Sequence, residues 1–300
     1  MPTLEKIEMY YDAAGRPVKT VNPDGSEQRV IYGKPKTIGT PNDFVPSPWE
    51  RYSYDQNDLA GLTNRTESAS YAHQWNTPKS ELIDALGRTI KTIDHKGQPD
   101  YSNPQQFTNV EMQYQYDIQG NLTRVTNAIN QTAFQYKYNL QKQALYTEHV
   151  DAGISIATLD ALGKPIQGAD AKDAETLASY DRLQRPTMGW SKNDSSDSLR
   201  MTMVTEYGET VSNPTEDNLL GKPYKQFDEA GLVTNRSFDF KGNLLMKTRN
   251  VIDSDKLKGE LDSYKPYLLD WTGELPTPGN LDEFDYTTES KYDALNRVTL

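Results

Sequence analysis

The sequence predicts an all-β fold, a long meandering antiparallel sheet interrupted by two irregular insertions. Three observations carry that expectation. One short turn motif recurs along the chain, its flanks alternate between apolar and polar residues, and aromatic residues are plentiful. The 300 residues are only 35% hydrophobic and carry a formal charge of −11, a balance that can signal disorder. The 19 tyrosines and 10% aromatic content argue instead for a folded, half-buried sheet.

The motif is an aromatic or aliphatic residue, Asp, two variable residues, Gly, and a polar residue that starts a return strand. Copies run Tyr11-Asp12-Ala13-Ala14-Gly15-Arg16, Ile83-Asp84-Ala85-Leu86-Gly87-Arg88 and Tyr116-Asp117-Ile118-Gln119-Gly120-Asn121. They continue as Leu159-Asp160-Ala161-Leu162-Gly163-Lys164, Phe227-Asp228-Glu229-Ala230-Gly231-Leu232 and Phe238-Asp239-Phe240-Lys241-Gly242-Asn243. Two copies lack the glycine, with Gln184 after Asp181 and Asn296 after Asp293. Weaker echoes occur at Tyr54-Asp55, Ile93-Asp94-His95-Lys96-Gly97 and Tyr138-Asn139. Asp at the first position of a type I turn accepts hydrogen bonds from backbone two residues on. Gly at the fourth position supplies a positive φ without steric cost. Together they predict a short hairpin closed by a glycine bulge.

The flanks supply the strands. Met112, Tyr114 and Tyr116 alternate with Glu111, Gln113 and Gln115, and Phe134, Tyr136 and Tyr138 alternate with Gln135 and Lys137. Such period-2 alternation marks a sheet with one packed and one wet face. The Asp-to-Asp steps of 72, 33, 43, 21, 47, 11 and 54 residues often approach multiples of 11. They fit one repeat region over 1–300 with degenerate units between clear copies. The insertions are expected at about 34–49, which holds four prolines, and at 250–289. The second carries ten acidic against three basic residues, −7 of the total charge, and a short helix is predicted near Asp255–Tyr264. Both read as surface excursions, the first held to the sheet by Phe44 and Trp49 and the second a solvated loop or a docking patch for a basic partner.

Chemistry is harder to find. With no cysteine, disulfides and thiolate zinc sites are excluded. Outside 250–289 charge is nearly balanced, so no basic face suits nucleic acid. No apolar run reaches the roughly 18 residues of a membrane helix, and Met1–Lys6 lacks the basic start and apolar core of a signal peptide. His73, His95 and His149 have no metal-ligand spacing, and phosphate loops and nucleophile elbows are missing. Asn193–Asp197 lacks the Gly and distal Glu of a calcium loop. Sequons such as Asn64 and Asn121 matter only in a eukaryotic secretory setting. No catalytic, cofactor or metal residue is assigned. The motif carboxylates are expected to hold turns, together with Gly15, Gly87, Gly120, Gly163, Gly231 and Gly242.

These Tyr-Asp-x-x-Gly-Arg turns resemble the YD, or RHS, repeats of large bacterial surface and toxin proteins. The run from Gly221 to Leu245, with Leu159–Ile166, Ser179–Pro186 and the tryptophan-led strand from Trp49 to Asp58, is similar to the central repeat region of toxin-complex B and C components. That resemblance implies a sheet coiled into a hollow, secreted bacterial shell. It further implies three partners: the remainder of the shell, an enclosed C-terminal toxin segment, and a translocation-channel component. The self-cleaving acidic block of some relatives has no counterpart here, so no catalytic residue transfers. Because Asn296–Leu300 stops within a strand, the chain is expected to be a fragment. A cell-surface adhesin or carbohydrate-binding wall is the alternative, since exposed tyrosines suit sugar stacking; a glycosidase with paired carboxylates is the third reading.

Overall fold

A computed structural model describes residues 6–63, 75–96, 109–255, 269–272 and 281–299. They fall into two compact units, Met1–Ala152 and Gly153–Leu300. In the first, strands β1 (Glu8–Tyr11), β2 (Pro17–Val21), β3 (Glu27–Pro35) and β4 (Phe44–Tyr54) precede helix α1 (Gln56–Thr63). Strands β5 (Lys79–Ile83), β6 (Thr89–Asp94), β7 (Val110–Tyr116), β8 (Leu122–Thr126), β9 (Thr132–Tyr138) and β10 (Ala144–His149) follow. Each strand pairs antiparallel with the next. The second unit repeats the plan with β11 (Gly153–Leu159), β12 (Pro165–Ala169), β13 (Glu175–Tyr180), β14 (Pro186–Lys192) and β15 (Arg200–Tyr207). It ends with β16 (Pro223–Asp228), β17 (Gly231–Phe238), β18 (Leu244–Val251) and β19 (Tyr286–Glu289). All eight pairings there are again sequential and antiparallel.

A meander of this kind places successive turns on alternate long edges of the sheet. In the first unit the turns at 12–15, 84–87, 117–120 and 139–142 therefore share one edge, and those at 22–25 and 127–130 the other. In the second unit 160–163, 181–184, 239–242 and 293–296 share an edge with the 208–222 loop. The clear motif copies lie on one edge of each unit, apart from the turn after Asp228.

Twelve apolar side chains are buried among the described residues, a thin core for sheets of this size. Ile31, Tyr54 and Leu59 form the core of the first unit, where α1 lays Leu59 on the sheet. The Tyr54-Asp55 echo is thus not a turn. Asp55 Oδ1 accepts the Asp58 N–H at 2.9 Å and Asp58 Oδ2 accepts the Asp55 N–H at 2.7 Å, a reciprocal cap that starts a helix.

Both insertions differ from the expectation. Proline does not keep 34–49 out of the sheet: Gly33, Lys34 and Pro35 pair with Pro46, Val45 and Phe44. The register then jumps to Tyr32↔Arg51, so Ser47–Glu50 have no partner on β3, and Trp49 stays half exposed rather than pinned. Within 250–289, Leu269 and Trp271 are buried against Val204, Phe227, Leu232 and Ile252 in the core of the second unit. The Trp271 N–H donates to Met201 O at 2.9 Å, and Asp270 Oδ1 accepts the Met201 N–H at 3.0 Å. A Trp flanked by acids and prolines reads as loop in sequence, but its ring is the largest fully buried side chain here. The helix expected near Asp255–Tyr264 lies almost wholly outside the described residues.

Candidate functional site

The chemistry-bearing residues converge on the hairpin turns. Eleven four-residue turns share one backbone pattern, in which the first N–H donates to the fifth carbonyl and the fourth N–H to the first carbonyl. They begin at residues 12, 22, 84, 117, 127, 139, 160, 170, 181, 239 and 293. In ten of them the first side chain's Oδ1 accepts the N–H groups two and four residues on, as Asp181 does from Leu183 at 2.8 Å and Arg185 at 2.9 Å. Asp12, Asp84, Asp117, Asp160, Asp239 and Asp293 repeat that geometry.

The fourth residue carries the strain. Gly120 has φ +87° and Gly242 φ +89°, where a side chain is disfavoured. Non-glycine residues occupy the same region at Asn130, Lys142, Asp173, Gln184 and Asn296. The turns at 127, 139 and 170 are weak in sequence for this reason: the glycine is gone and Asn replaces Asp in two of them. Gly231 departs from the pattern. Asp228 pairs directly with Gly231 across a two-residue turn, and its carboxylate grips the Arg249 guanidinium at 2.9 and 2.6 Å. A Cβ on Gly231 would fall 2.2 Å from Asn250 O, so close approach of the neighbouring strand fixes that glycine.

The outer residues of the motif join one hairpin to the next. The fifth residue folds back on its own Asp: Arg16, Arg88, Arg185 and Arg297 each donate Nε to Oδ2 at 2.7–2.8 Å. A cation at this fifth position also lies over the aromatic ring of the following unit. Arg16 covers Tyr32 at 3.9 Å, Arg88 covers Tyr116 at 4.7 Å, Lys164 covers Tyr180 at 5.0 Å and Arg185 covers Tyr207 at 3.8 Å. Five tyrosines that precede a motif Asp, Asn or turn loop also donate their hydroxyls to the carbonyl five residues beyond the previous Asp. The bonds are Tyr116 to Thr89, Tyr138 to Leu122, Tyr180 to Pro165, Tyr207 to Pro186 and Tyr292 to Leu244, at 2.8–3.2 Å. Sequence reasoning missed this joint, although its signal was present in the recurring Tyr and Arg on either side of Asp.

The electrostatics agree with a mechanical task. The backbone N–H of the following arginine, reinforced by its side chain, holds the Asp84, Asp181 and Asp293 carboxyls below the usual carboxylate range. Burial pushes the Tyr116, Tyr138 and Tyr207 hydroxyls up, so they remain protonated donors. Such carboxylates are ionised near neutral pH and already engaged, a poor state for a general acid or base there.

The histidines are structural where they are described. His149 Nδ1 accepts the Asp151 and Ala152 N–H groups at 3.1 Å. Ser80 Oγ lies 3.1 Å from His95 Nε2, and Ser80 is 1% exposed, so the hydroxyl is held within the sheet rather than presented at its surface. His73 lies outside the described residues. Among the described residues, three or more His, Cys, Asp or Glu side chains nowhere converge on a metal-sized site. No helix among them is long and apolar enough to cross a membrane.

No protein-family model matches the chain. Toxin subunit YenC2 of Yersinia entomophaga is 26% identical over 242 residues, which are 74% of this chain and 24% of that protein. The chain thus spans about a quarter of the length of that relative. A crystal structure of TcdB2-TccC3 superposes with a TM-score of 0.73 at 21% identity, covering 97% of this chain and 13% of that one. A structure of the Photorhabdus luminescens Tc holotoxin pore gives 0.75 with the same identity and coverage. At this identity the solved structures establish the repeat-sheet fold.

Proposed function

We propose that the chain is a structural wall segment of a toxin-encapsulating shell, a reading supported by its YD-type turns and its likeness to toxin-complex chains. Its partners in this reading are the remainder of the shell, an enclosed C-terminal toxin segment and the translocation-channel component, and its setting is extracellular. The region performs no reaction of its own. The observation that supports the reading is the turn joint, in which Tyr, Asp, Gly and Arg are each spent on holding one hairpin and fastening it to the next. A repeat region of 1–300, with the stretches 34–49 and 250–289 as elaborations, fits the role, as do turn-holding parts for the motif residues.

Limited proteolysis of a full-length toxin-complex component carrying this sequence tests it. The segment that follows the repeats should resist protease while the wall is intact. Asp181→Ala combined with Asp239→Ala should expose it to cleavage at lower temperature. Cleavage at equal rates with and without the repeat region, or the lack of any protected segment, would contradict encapsulation.

A further inference from the structure

The start of β15 lacks a strand neighbour on one side. β14 pairs with β15 from Arg200 to Val204, whereas β16 pairs with it only from Val204 to Tyr207. A strand residue turns its N–H and C=O to the same side, so beyond the end of β16 those groups of Met201 are open to another segment. Asp270 and Trp271 take that place. The Trp271 N–H donates to Met201 O at 2.9 Å, and the Met201 N–H donates to Asp270 Oδ1 at 3.0 Å. The indole N–H reaches Asp228 O at 3.3 Å, its ring lies 5.3 Å from that of Phe227, and Arg200 Nη1 donates to Leu269 O at 3.1 Å. Residues 269–272 thus lie on β15 as an added strand does, with Leu269 and Trp271 as buried anchors.

The seat and its occupant are separable. None of the eight strand pairings of the second unit involves 269–272, so its departure breaks none of them. The seat also offers more than this segment uses. The Arg200 side chain is only 6% exposed, yet its Nε has no partner among the described residues, and Asp197 and Glu229 stand back from the guanidinium at 3.3 and 3.8 Å. A buried donor without an acceptor is costly, and an acceptor on a ligand relieves that cost. Beside Trp271 a cavity of about 530 Å³ continues over Thr187, Met188, Met201 and Val204. Methionine walls adapt to apolar groups of varied shape.

We propose that this seat is a peptide-binding site whose exchangeable occupant is 269–272, and that it accepts in trans an extended segment of the pattern apolar–Asp–Trp. The Trp of such a segment packs on Phe227, its Asp carboxylate takes the Met201 N–H, and its backbone pairs with Met201 and Arg200. The proposal does not rest on the shell reading and requires only the second unit.

Fluorescence anisotropy on the whole chain tests it, using a labelled peptide copied from 268–273, Leu-Leu-Asp-Trp-Thr-Gly, and circular dichroism to verify folding. In the wild type the tethered segment competes at high effective concentration, so the peptide should bind weakly. Leu269→Ala/Trp271→Ala frees the seat and should bind the peptide at least tenfold more tightly. A peptide with Ala in place of its Trp should lose at least tenfold of that affinity. A folded double variant that ignores the peptide, or that binds both peptides alike, overturns the proposal. Should the double variant misfold, native-state hydrogen exchange on the wild type asks the same question. The Trp271 and Met201 amides, which open when the segment leaves, should exchange at least tenfold faster than the paired amides of β16, β17 and β18. Exchange of all these amides at one rate makes 269–272 an inseparable part of the core and overturns the proposal as well.

Discussion

Asp181 shows how one side chain can hold a hairpin. Its Oδ1 satisfies two backbone N–H groups and its Oδ2 takes the Arg185 guanidinium. Asn retains the Oδ1 acceptor, so Asp181→Asn should lower the melting temperature only slightly, while Asp181→Ala frees both N–H groups and should lower it clearly more. Gly120→Val should be worse than either, because a β-branched residue resists φ near +87°. The lowered carboxyls of Asp84, Asp181 and Asp293 set the acid limb. A group whose native pKa lies below its unfolded value stabilises fully above the unfolded value, about 3.9 for Asp. That stability disappears as pH falls through the native values. Thermal melts should therefore be nearly flat from pH 7 to pH 5 as far as these groups contribute, and should fall below about pH 4. A loss centred near pH 6 would point to histidine instead. For the joint itself, a double-mutant cycle on Arg88→Ala and Tyr116→Leu should give a coupling of about 0.5–1 kcal/mol, as expected for a cation over a partly exposed ring. Strict additivity would mean the stacked geometry contributes nothing.

At the scale of elements, the alternating strands and the glycine-closed turns were legible because both depend on local rules. Met112–Tyr116 and Phe134–Tyr138 alternate as strands must, and Asp-x-x-Gly encodes its own hydrogen bonds. The weaker turns at 127, 139 and 170 were harder, since Asn130, Lys142 and Asp173 enter the left-handed region against their intrinsic preference. Helix α1 was missed because its cap residues, Asp55 and Asp58, mimic the start of one more turn. Trp271 could not be placed at all: what buries it is Val204, Phe227 and Leu232, far away in sequence. Trp271→Ala should cost about 3–5 kcal/mol, the usual range for emptying a buried aromatic site. Chemical denaturation with the unit's tryptophan fluorescence as probe measures it. A cost below about 1 kcal/mol would show that the 269–272 segment merely rests on the sheet.

At the scale of the whole molecule, the few buried apolar side chains among the described residues and the density of turn bonds describe sheets stabilised by pairing with neighbouring strands more than by burial. The resemblance in sequence implied a repeat-built antiparallel sheet, and the superposition on solved toxin-complex chains agrees with that fold. That the motif carboxylates hold turns was legible in the sequence, because each Asp stands at a fixed place before its turn, whereas the joint between Arg and Tyr was not, because it links residues of successive units. The most direct test compares Asp181→Asn with Asp181→Ala in a full-length component, measuring thermal stability, release of the enclosed segment and any hydrolysis on the same samples. A mechanical role predicts that the amide variant keeps wild-type release and near wild-type stability, while the alanine variant loses stability and releases its segment at lower temperature. An Asp181→Asn protein that remains stable yet has lost a measurable hydrolysis reaction would contradict the account.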